Sequence, residues 1–206
     1  NNTSFNIRVR TASADGSDTR VNDSSYYLWG MQLEEGSYAT SYIPTSGSTV
    51  TRNQDIFTRD GIGSLINDSE GVLFFEASAL VNGGIDRTIS LSDGTNGNLI
   101  FVRVDSTASR IFGFARGSTG SYTIVQANGF PQTDNNKIAV VWDATNFRIW
   151  INGSERDTTT INNLPVGMNT LNLSSPTGSS DNFYGKVRQL QVYDTALTDE
   201  QLLQLT

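Results

Sequence analysis

The chain has 206 residues, 36% of them hydrophobic, which is enough to form a core of substantial size without disulfide support. It contains no cysteine and no histidine, so disulfides, thiol nucleophiles and zinc–thiolate centres are excluded, as is the commonest general base. Lysine and arginine number 14 against 21 aspartates and glutamates, and the resulting net charge of −7 opposes binding to nucleic acid or to an anionic membrane surface.

Serine, threonine, asparagine and glycine are abundant, and only 17% of the residues are charged. This composition is typical of an extracellular β protein with polar loops. No run reaches the roughly 18 consecutive apolar residues of a membrane-spanning helix, so we expect no membrane insertion.

Short runs of β-favouring residues, separated by turn residues, recur along almost the whole chain. Many short strands at this spacing are typical of a β-sandwich or a β-barrel. The runs are residues 5–10, 26–33, 71–81, 87–92, 98–105, 110–116, 121–127, 137–144, 147–153, 170–175 and 186–194.

The first two runs cannot form a core by themselves, because two strands do not bury enough surface. In the second run, Trp29, Met31 and Leu33 would form one apolar face. The linker-like stretch PTSGSTVTRNQD then separates this region from the remaining strands. We therefore predict that residues 1–55 are the end of an upstream β module with an arm and linker, and that residues 56–206 form a complete domain.

Alternation is sharpest in the stretch KIAVVWDATNFRIWINGSERDTT, which begins at Lys137. Its period of two predicts two half-buried strands, and Asn152-Gly153 predicts a tight hairpin that brings a third strand back. Trp142 shares a face with core residues and is expected in the core. Trp150 points to the opposite face, where it is either exposed or packed on another layer. If it is exposed, its ring could stack on a sugar, so Trp150 is a candidate glycan-binding residue.

Two polar loops carry further candidate ligands. The loop SLSDGTNGN holds Asp93, Asn96 and Asn98, the oxygen-rich side chains that calcium prefers, although Asp-Gly also marks an ordinary hairpin turn. The loop SSPTGSSDNFYG holds Asp181 and Asn182, and Tyr184 follows them. A carboxylate, an amide and an aromatic ring are the groups that hold sugar hydroxyls, although a plain loop remains the alternative.

One helix is predicted, at the C-terminal end of the sequence. Thr198 can cap it, and Gln201 lies three residues later as in a capping box. Leu197, Leu202 and Leu205 could share one face. A helix of about two turns needs tertiary packing to be stable.

Four passages resemble the laminin-G-like or pentraxin-like branch of the concanavalin A-like lectin/glucanase superfamily. They are GVLFFEASALV, SLSDGTNGNLIFVRV, KIAVVWDATNFRIWING and FYGKVRQLQVYDTALTDEQLLQL, in that order. The resemblance covers roughly residues 56–206. It implies an all-β fold, an antiparallel jelly-roll β-sandwich with a short C-terminal helix. It also implies a calcium ion near one rim, for which no complete ligand set can be assigned.

A second passage, YLWGMQLEEGSYATSYIPTSGSTVTRNQD from Tyr27 to Asp55, resembles a segment of bacteriophage and prophage tail-fibre-like proteins. There the segment ends one β module and leads into a laminin-G-like module. The resemblance implies an extracellular or virion location and a homo-oligomer, in particular a trimer. We expect Tyr26 to Leu33 to be buried at a contact between subunits or modules, since three such apolar side chains are costly to leave in water.

The superfamily's glucanases use carboxylates clustered on one strand, and no such run exists here. Glu76 and the pair Glu34 and Glu35 are isolated, and the arginines and aspartates of RVDSTASR look like a solvated strand face. We therefore expect a non-catalytic domain that recognises a cell-surface polysaccharide or other glycan. The alternatives are a structural or assembly module of a virion or surface fibre, and a polysaccharide-degrading enzyme of the same fold.

Overall fold

The computed structural model describes residue 19 and residues 27–33, 41–51, 56–118 and 120–206. The chain divides into two compact units, Asn1–Gln54 and Asp55–Thr206. The predicted boundary, after residue 55, differs from this division by one residue. That the first unit is the end of an upstream module stays a prediction.

In its described part, the second unit consists of β-strands and two short helical segments. The strands are β1 (Thr58–Arg59), β2 (Gly71–Ala79), β3 (Arg87–Ser92), β4 (Leu99–Val104), β5 (Arg110–Arg116), β6 (Thr123–Asn128), β7 (Asn136–Trp142), β8 (Asn146–Ile151), β9 (Ser154–Thr160), β10 (Thr170–Asn172) and β11 (Gly185–Tyr193). The helical segments are a single 3₁₀ turn, Gly63–Leu65, and α1 (Asp199–Leu205).

The strands form two sheets whose neighbours are all antiparallel. One sheet has the order β1-β10-β3-β4-β5-β6 and the other has the order β11-β2-β7-β8-β9. The predicted all-β sandwich with a short C-terminal helix is thereby confirmed. Each predicted run from residue 71 onward overlaps one strand, with ends that differ by up to two residues in most cases, whereas β1 and the 3₁₀ turn were not predicted.

The predicted meander is confirmed as β7, β8 and β9. At the second turn, Ile151 pairs with Ser154, which leaves Asn152 and Gly153 as the two loop residues. Their φ angles are 50° and 79°. A two-residue turn that follows the right-handed twist of the strands requires positive φ at both positions, which asparagine and glycine tolerate.

The core lies between the two sheets and is built from the inward-facing side chains of both. Trp142 is fully buried in it, as predicted, and its indole Nε1 donates a hydrogen bond to the carbonyl oxygen of Asn67 at 3.1 Å. Gly71 lies against this ring, because a Cβ atom at residue 71 would overlap the indole.

The helix α1 covers the outer face of the five-stranded sheet. Thr198 and Gln201 form the predicted capping box. Leu202 is fully buried, and Leu197 and Leu205 pack against the same cluster. Successive side chains of a strand point to opposite faces of the sheet. In this sheet one set lines the core and the other packs beneath α1, so the sheet is apolar on both sides.

In the first unit, the prediction of a strand at residues 26–33 is wrong for residues 27–33, the part of this run that the structure describes. Tyr27 to Leu33 form no strand, and no ladder partner is found among the described residues of this unit. A strand needs such a partner for its backbone hydrogen bonds. Trp29 is 83% exposed and meets Tyr42 edge-on at 5.8 Å between ring centroids. The run at residues 5–10, Tyr26, Glu34 and Glu35 lie outside the described residues. No described helix has the length and apolar character needed to cross a membrane.

Candidate functional site

The outer face of the six-stranded sheet carries a cluster of aromatic side chains. The cross-strand register places Phe101 of β4 opposite Phe114 of β5, and Phe114 opposite Ile124 of β6. The rings of Phe101 and Phe114 are stacked, with centroids 4.5 Å apart. Tyr122 meets both rings edge-on and is 43% exposed. Phe101 is buried and Phe114 is partly buried, whereas Tyr122, which precedes β6, presents its ring to solvent.

Arginines lie over these rings. The guanidinium carbon of Arg103 is 5.4 Å from the centroids of both Phe101 and Phe114, and that of Arg116 is 5.2 Å from the centroid of Tyr122. These separations are within the range of cation–π attraction. The prediction that the polar residues of strand RVDSTASR form a plain solvated face is therefore wrong, because Arg103 is packed on aromatic rings. We call this surface, defined by Phe101, Arg103, Phe114, Arg116 and Tyr122, the arginine–aromatic face.

A shallow depression of about 470 Å³ lies beside this face, where β3 begins and β4 ends. Loops rather than strands form its walls. The residues that line it are Gly84, Ile85, Asp86, Ser106, Asp181, Asn182 and Tyr184. The structure thus brings together Asp181, Asn182 and Tyr184, the three predicted loop residues, and adds Asp86, which sequence analysis did not single out.

Arg103 connects the depression to the arginine–aromatic face. Its Nη1 is 3.6 Å from Asp86 and its Nη2 is 3.6 Å from Asp181, which is close enough for ion pairing but too long for good hydrogen bonds. Its Nε is buried and has no hydrogen-bond partner among the described residues, and neither has the hydroxyl of Thr88 on the neighbouring strand. Buried polar atoms without partners are uncommon in proteins and mark places where a polar ligand or water can bind.

Two buried residues hold the loops of the depression. Arg87 donates hydrogen bonds to the carbonyls of Gly83 and Ile85, and burial lowers the pKa of its guanidinium, an effect that Asp86 opposes. Gln132 accepts from the N–H of Gly83 and donates to carbonyls of the loop after β4. Sequence analysis missed both, because neither residue belongs to a recognisable motif.

Trp150 does not take part in this site. Its side chain is only 7% exposed and packs with Val141 and Leu202 beneath α1, on the other sheet. The possibility that it is exposed is therefore wrong, and its packing on another layer, the alternative left open by the sequence, is what the fold shows. A buried indole cannot stack on a sugar, so we exclude Trp150 from the candidate site.

The Asp93 loop lies at the opposite end of β3 and β4 from the depression, roughly 17 Å away along a strand. The carboxylate of Asp93 accepts hydrogen bonds from Thr95 and from the side-chain nitrogen of Asn98. The side-chain oxygen of Asn98 accepts from Val166, which fixes the orientation of this amide. Asn96 contributes its backbone carbonyl to Arg116.

This loop does not fit a calcium ion. Calcium needs six to eight oxygens directed at one point, whereas the oxygens of Asp93 and Asn98 are directed at protein donors. Burial favours the neutral form of Asp93, but the hydrogen bonds from Thr95 and Asn98 outweigh it and lower its pKa. Within the described residues, no group of three or more acidic side chains is placed to hold a metal ion. The binding of calcium itself stays an untested prediction.

Asp105, next to the depression, is expected to contribute to stability only above acidic pH. Burial favours its neutral form, but hydrogen bonds from Thr107 and Arg110 outweigh this and lower its pKa. Because the folded pKa lies below the unfolded value of about 3.9, the contribution is complete above that pH and is lost as the pH falls through the folded pKa. In thermal melts below about pH 4, the melting temperature should therefore fall more for the native chain than for Asp105→Asn. Parallel pH profiles for the two proteins would contradict this assignment.

Comparison with known proteins gives a consistent result for the fold. A laminin G-type family model, described as the concanavalin A-like lectin/glucanases superfamily, matches residues 73–203. No curated protein sequence matches the chain. Eight similar solved structures are 14–19% identical to the chain in sequence, so they bear on the fold alone.

Three of these structures illustrate the likeness. The CBM40 module of the Ruminococcus gnavus IT-sialidase has a TM-score of 0.59, with 15% identity over 73% of this chain and 98% of the module. The same module bound to α2,3-sialyllactose has a TM-score of 0.57, with 17% identity over 67% of this chain and 83% of that one. A heptameric SAP-like pentraxin from Limulus polyphemus has a TM-score of 0.50, with 14% identity over 65% of this chain and 68% of the pentraxin.

Proposed function

Because the chain belongs to the concanavalin A-like lectin/glucanases superfamily over residues 73–203, we propose that it recognises a glycan, in particular a cell-surface polysaccharide. The fold is a lectin-like carbohydrate-binding fold. The proposed binding site is the depression lined by Asp86, Asp181, Asn182 and Tyr184, since fold alone does not fix a function and a site has to carry it.

The observation that carries this proposal is the state of Arg103. Its guanidinium lies between Asp86 and Asp181 without a hydrogen bond to either, and its buried Nε has no partner among the described residues. Both carboxylates line the depression, and although Oδ1 of Asp86 accepts from the N–H of Ser106, each carboxylate has lone pairs left to accept further hydrogen bonds. Sugar hydroxyls can donate to Asp86 and Asp181, while the half-exposed ring of Tyr184 provides an apolar surface for a sugar face.

We propose that binding is the whole activity and that no glycan is cleaved. A general acid at neutral pH needs a carboxyl group whose pKa is raised. Wherever the surroundings of a described carboxyl group shift its pKa, they lower it. The pKa of Glu76, for example, is lowered because Asn135 and Arg188 donate hydrogen bonds to its carboxylate. Similarity to the CBM40 module of the Ruminococcus gnavus IT-sialidase supports a binding role.

We further propose that the chain is part of a phage tail-fibre-like or surface adhesin protein, located in a virion or outside the cell. The support is the resemblance of residues 27–55 to a tail-fibre segment, together with the polar, cysteine-free composition. A homo-oligomer, in particular a trimer, fits this context, because closed symmetric assemblies can cover exposed apolar segments.

The assembly proposal makes a direct prediction. Trp29 is 83%, Met31 51% and Leu33 69% exposed in the single chain, so contact with a partner subunit would bury them. Light scattering of the full chain should give the mass of a trimer, and Trp29→Asp should shift the mass toward the monomer because a charge is costly in an apolar contact. A monomeric native chain whose mass and melting temperature do not respond to this substitution would remove the support for assembly through this segment.

A glycan array with the full chain tests the binding proposal. We expect binding to a defined set of glycans, and we expect Tyr184→Ala and Asp181→Asn to weaken it by roughly tenfold each, which is the effect of losing one hydrogen bond to a charged group or one well-packed ring. Leu203→Ala is the control, because Leu203 is exposed on α1, away from the depression. Repeating the array with and without calcium tests the calcium prediction separately.

The array also separates the alternatives. If no glycan binds, or if Tyr184→Ala and Leu203→Ala behave alike, the depression is not a glycan site and the structural role is favoured. Release of reducing ends from a bound polysaccharide, lost on substitution of Asp86 or Asp181, would show that the chain is an enzyme.

A further inference from the structure

We propose that the arginine–aromatic face holds a second subsite, in which Arg116 and Tyr122 bind the carboxylate-bearing sugar unit of an acidic glycan. This inference rests on the proposed function, because the same glycan would extend from the depression across the sheet. It adds a chemical class of ligand, since the depression by itself is suited to neutral hydroxyl groups.

Arg116 is the first observation. Its Nε donates to the carbonyl of Gly120 and its Nη1 donates to the carbonyl of Asn96, each at 3.0 Å. These two bonds fix the plane of the guanidinium and leave other N–H donors unused by the described residues. A guanidinium held in this way can donate two parallel hydrogen bonds to a carboxylate.

The second observation is the pattern of ion pairs on this face. Arg110 is bonded to Asp105 at 2.7 Å, and Arg103 lies between Asp86 and Asp181. Arg116 forms no ion pair with a carboxylate in the described part of the chain, and both of its acceptors are uncharged carbonyls. In a chain with a net charge of −7, an arginine fixed in place without a carboxylate partner is complementary to an anionic ligand.

The third observation is the apolar platform beside Arg116. The exposed side chains of Tyr122 and Ile124 lie on one side of Phe114, and the ring of Phe114 stacks on that of Phe101 on the neighbouring strand β4. Tyr122 is fixed by three contacts, with Arg116 over its ring and the two phenylalanines at its edge. A rigid ring next to a cation suits a sugar that has both an apolar face and a carboxylate.

The turn after β5 explains how Arg116 is positioned. A Cβ atom at Gly117 would overlap the backbone carbonyl of Leu164 as well as the side chain of Asn163, so this position requires glycine, and at Gly120 the backbone also lies against the Asn163 side chain. This close approach places the Gly120 carbonyl where the Nε of Arg116 can donate to it. The side-chain nitrogen of Asn163 is buried there without a partner among the described residues, so the turn retains a second unused donor.

The two subsites lie far enough apart for an oligosaccharide. Arg103 is opposite Phe112 on β5, and Arg116 is four residues further along that strand, a separation of roughly 13 Å at the rise of a β-strand. Phe114 lies between them on the same face. A glycan that follows β5 would therefore pass over aromatic rings from the depression to Arg116.

The test uses the full chain with three probes: sialyllactose, an oligouronate and lactose. The acidic probes share the carboxylate and differ in its source, and lactose is the neutral control. We expect at least one acidic probe to bind, and Arg116→Gln to weaken its binding about tenfold or more, the effect of one charge-assisted pair. Lactose binding should not change. Arg116→Lys should restore only part of the affinity, because an ammonium lacks the planar fork.

Arg156→Gln is the matched control, because Arg156 also lies over an aromatic ring, that of Phe130, but on the other sheet. Melting curves for each variant identify any loss of fold. Equal effects of Arg116→Gln and Arg156→Gln, or equal weakening of acidic and neutral probes, would overturn the subsite. So would a change of mass on Arg116→Gln, since the face would then be a protein interface.

The inference and the proposed function fail in distinguishable ways. If Tyr184→Ala removes glycan binding while Arg116→Gln leaves acidic probes unaffected, the depression is a glycan site and the second subsite does not exist. If no probe and no array glycan binds, both proposals are wrong. Whether sialyllactose or the oligouronate responds to Arg116→Gln identifies the source of the carboxylate.

Discussion

Trp142→Ala is expected to lower the free energy of unfolding by about 3–5 kcal/mol, the usual cost of deleting a buried aromatic side chain. Trp142 is completely buried between the sheets, its Nε1 donates to the carbonyl of Asn67, and Gly71 is packed directly against the ring. The neighbouring backbone is therefore shaped around the indole and cannot collapse into the cavity. Urea unfolding should show the loss, and the melting temperature should fall by roughly 10 °C.

The control is Leu65→Ala, which shortens an apolar side chain that is 62% exposed and lies outside the proposed subunit contact. Its effect on the unfolding of the same chain should lie within about 0.5 kcal/mol, as for most surface substitutions. If both variants have the same unfolding midpoint, Trp142 does not anchor the two sheets, and the assignment of the core between them is wrong.

The sandwich could be predicted from the sequence because its signals are local. Ile138, Val140 and Trp142 alternate with a period of two, and this period survives in the structure as one buried face of β7. Asn152-Gly153 has a backbone preference of its own, and so has the capping box of α1. In each case residues a few positions apart determine the conformation, and no knowledge of the rest of the chain is needed.

The burial of Trp150 could not be predicted in the same way. Its position on the outward face of β8 follows from alternation, but what covers that face is α1, almost fifty residues later in the chain. Similarly, Arg103 and Arg116 look like solvated residues on their strands. Only the pairing of β4, β5 and β6 places them over aromatic rings.

The candidate site was predicted in part. Asp181, Asn182 and Tyr184 are adjacent in sequence, so a polar loop could be recognised before its place in the fold was known. Asp86 joins them because the backbone N–H of Thr88 donates to the carbonyl of Asp181, a contact across more than ninety residues. No pattern within either segment predicts this contact. The residue that connects the other loops of the depression could not be predicted from a local pattern either.

That residue is Gln132, which is 2% exposed and links the two loops on either side of the depression. Its Oε1 accepts from the N–H of Gly83 at 2.7 Å, and its Nε2 donates to the carbonyls of Asp105 and Thr107 at 2.9 and 3.1 Å. Gly83 directly precedes one wall of the depression, which contains Asp86. Ser106, in the other wall, lies between Asp105 and Thr107 in the sequence. One amide therefore determines how far apart these walls of the depression lie.

Gln132→Leu is expected to destabilise the second unit by about 2 kcal/mol or more, since two buried polar groups, the N–H of Gly83 and the carbonyl of Asp105, are left without this partner at a cost of about 1–3 kcal/mol each. The N–H of Gly83 loses its acceptor, and the carbonyls of Asp105 and Thr107 lose a donor. Glycan binding should weaken as well, because Asp86 and Ser106 are no longer held at a fixed separation. Urea unfolding measures the first effect, and glycan binding well below the melting temperature measures the second.

Two further variants show whether the hydrogen bonds are responsible. Gln132→Glu keeps the shape of the side chain and an acceptor for Gly83, but it directs an oxygen at the carbonyls of Asp105 and Thr107. It should therefore be about as unstable as Gln132→Leu at neutral pH and should recover as acid protonates the carboxyl group, which restores a donor. Gln189→Leu, at an exposed position on β11, is the control and should change stability by less than about 0.5 kcal/mol. If Gln132→Glu is as stable as the native chain, or if Gln132→Leu binds glycan normally, this amide does not hold the depression together.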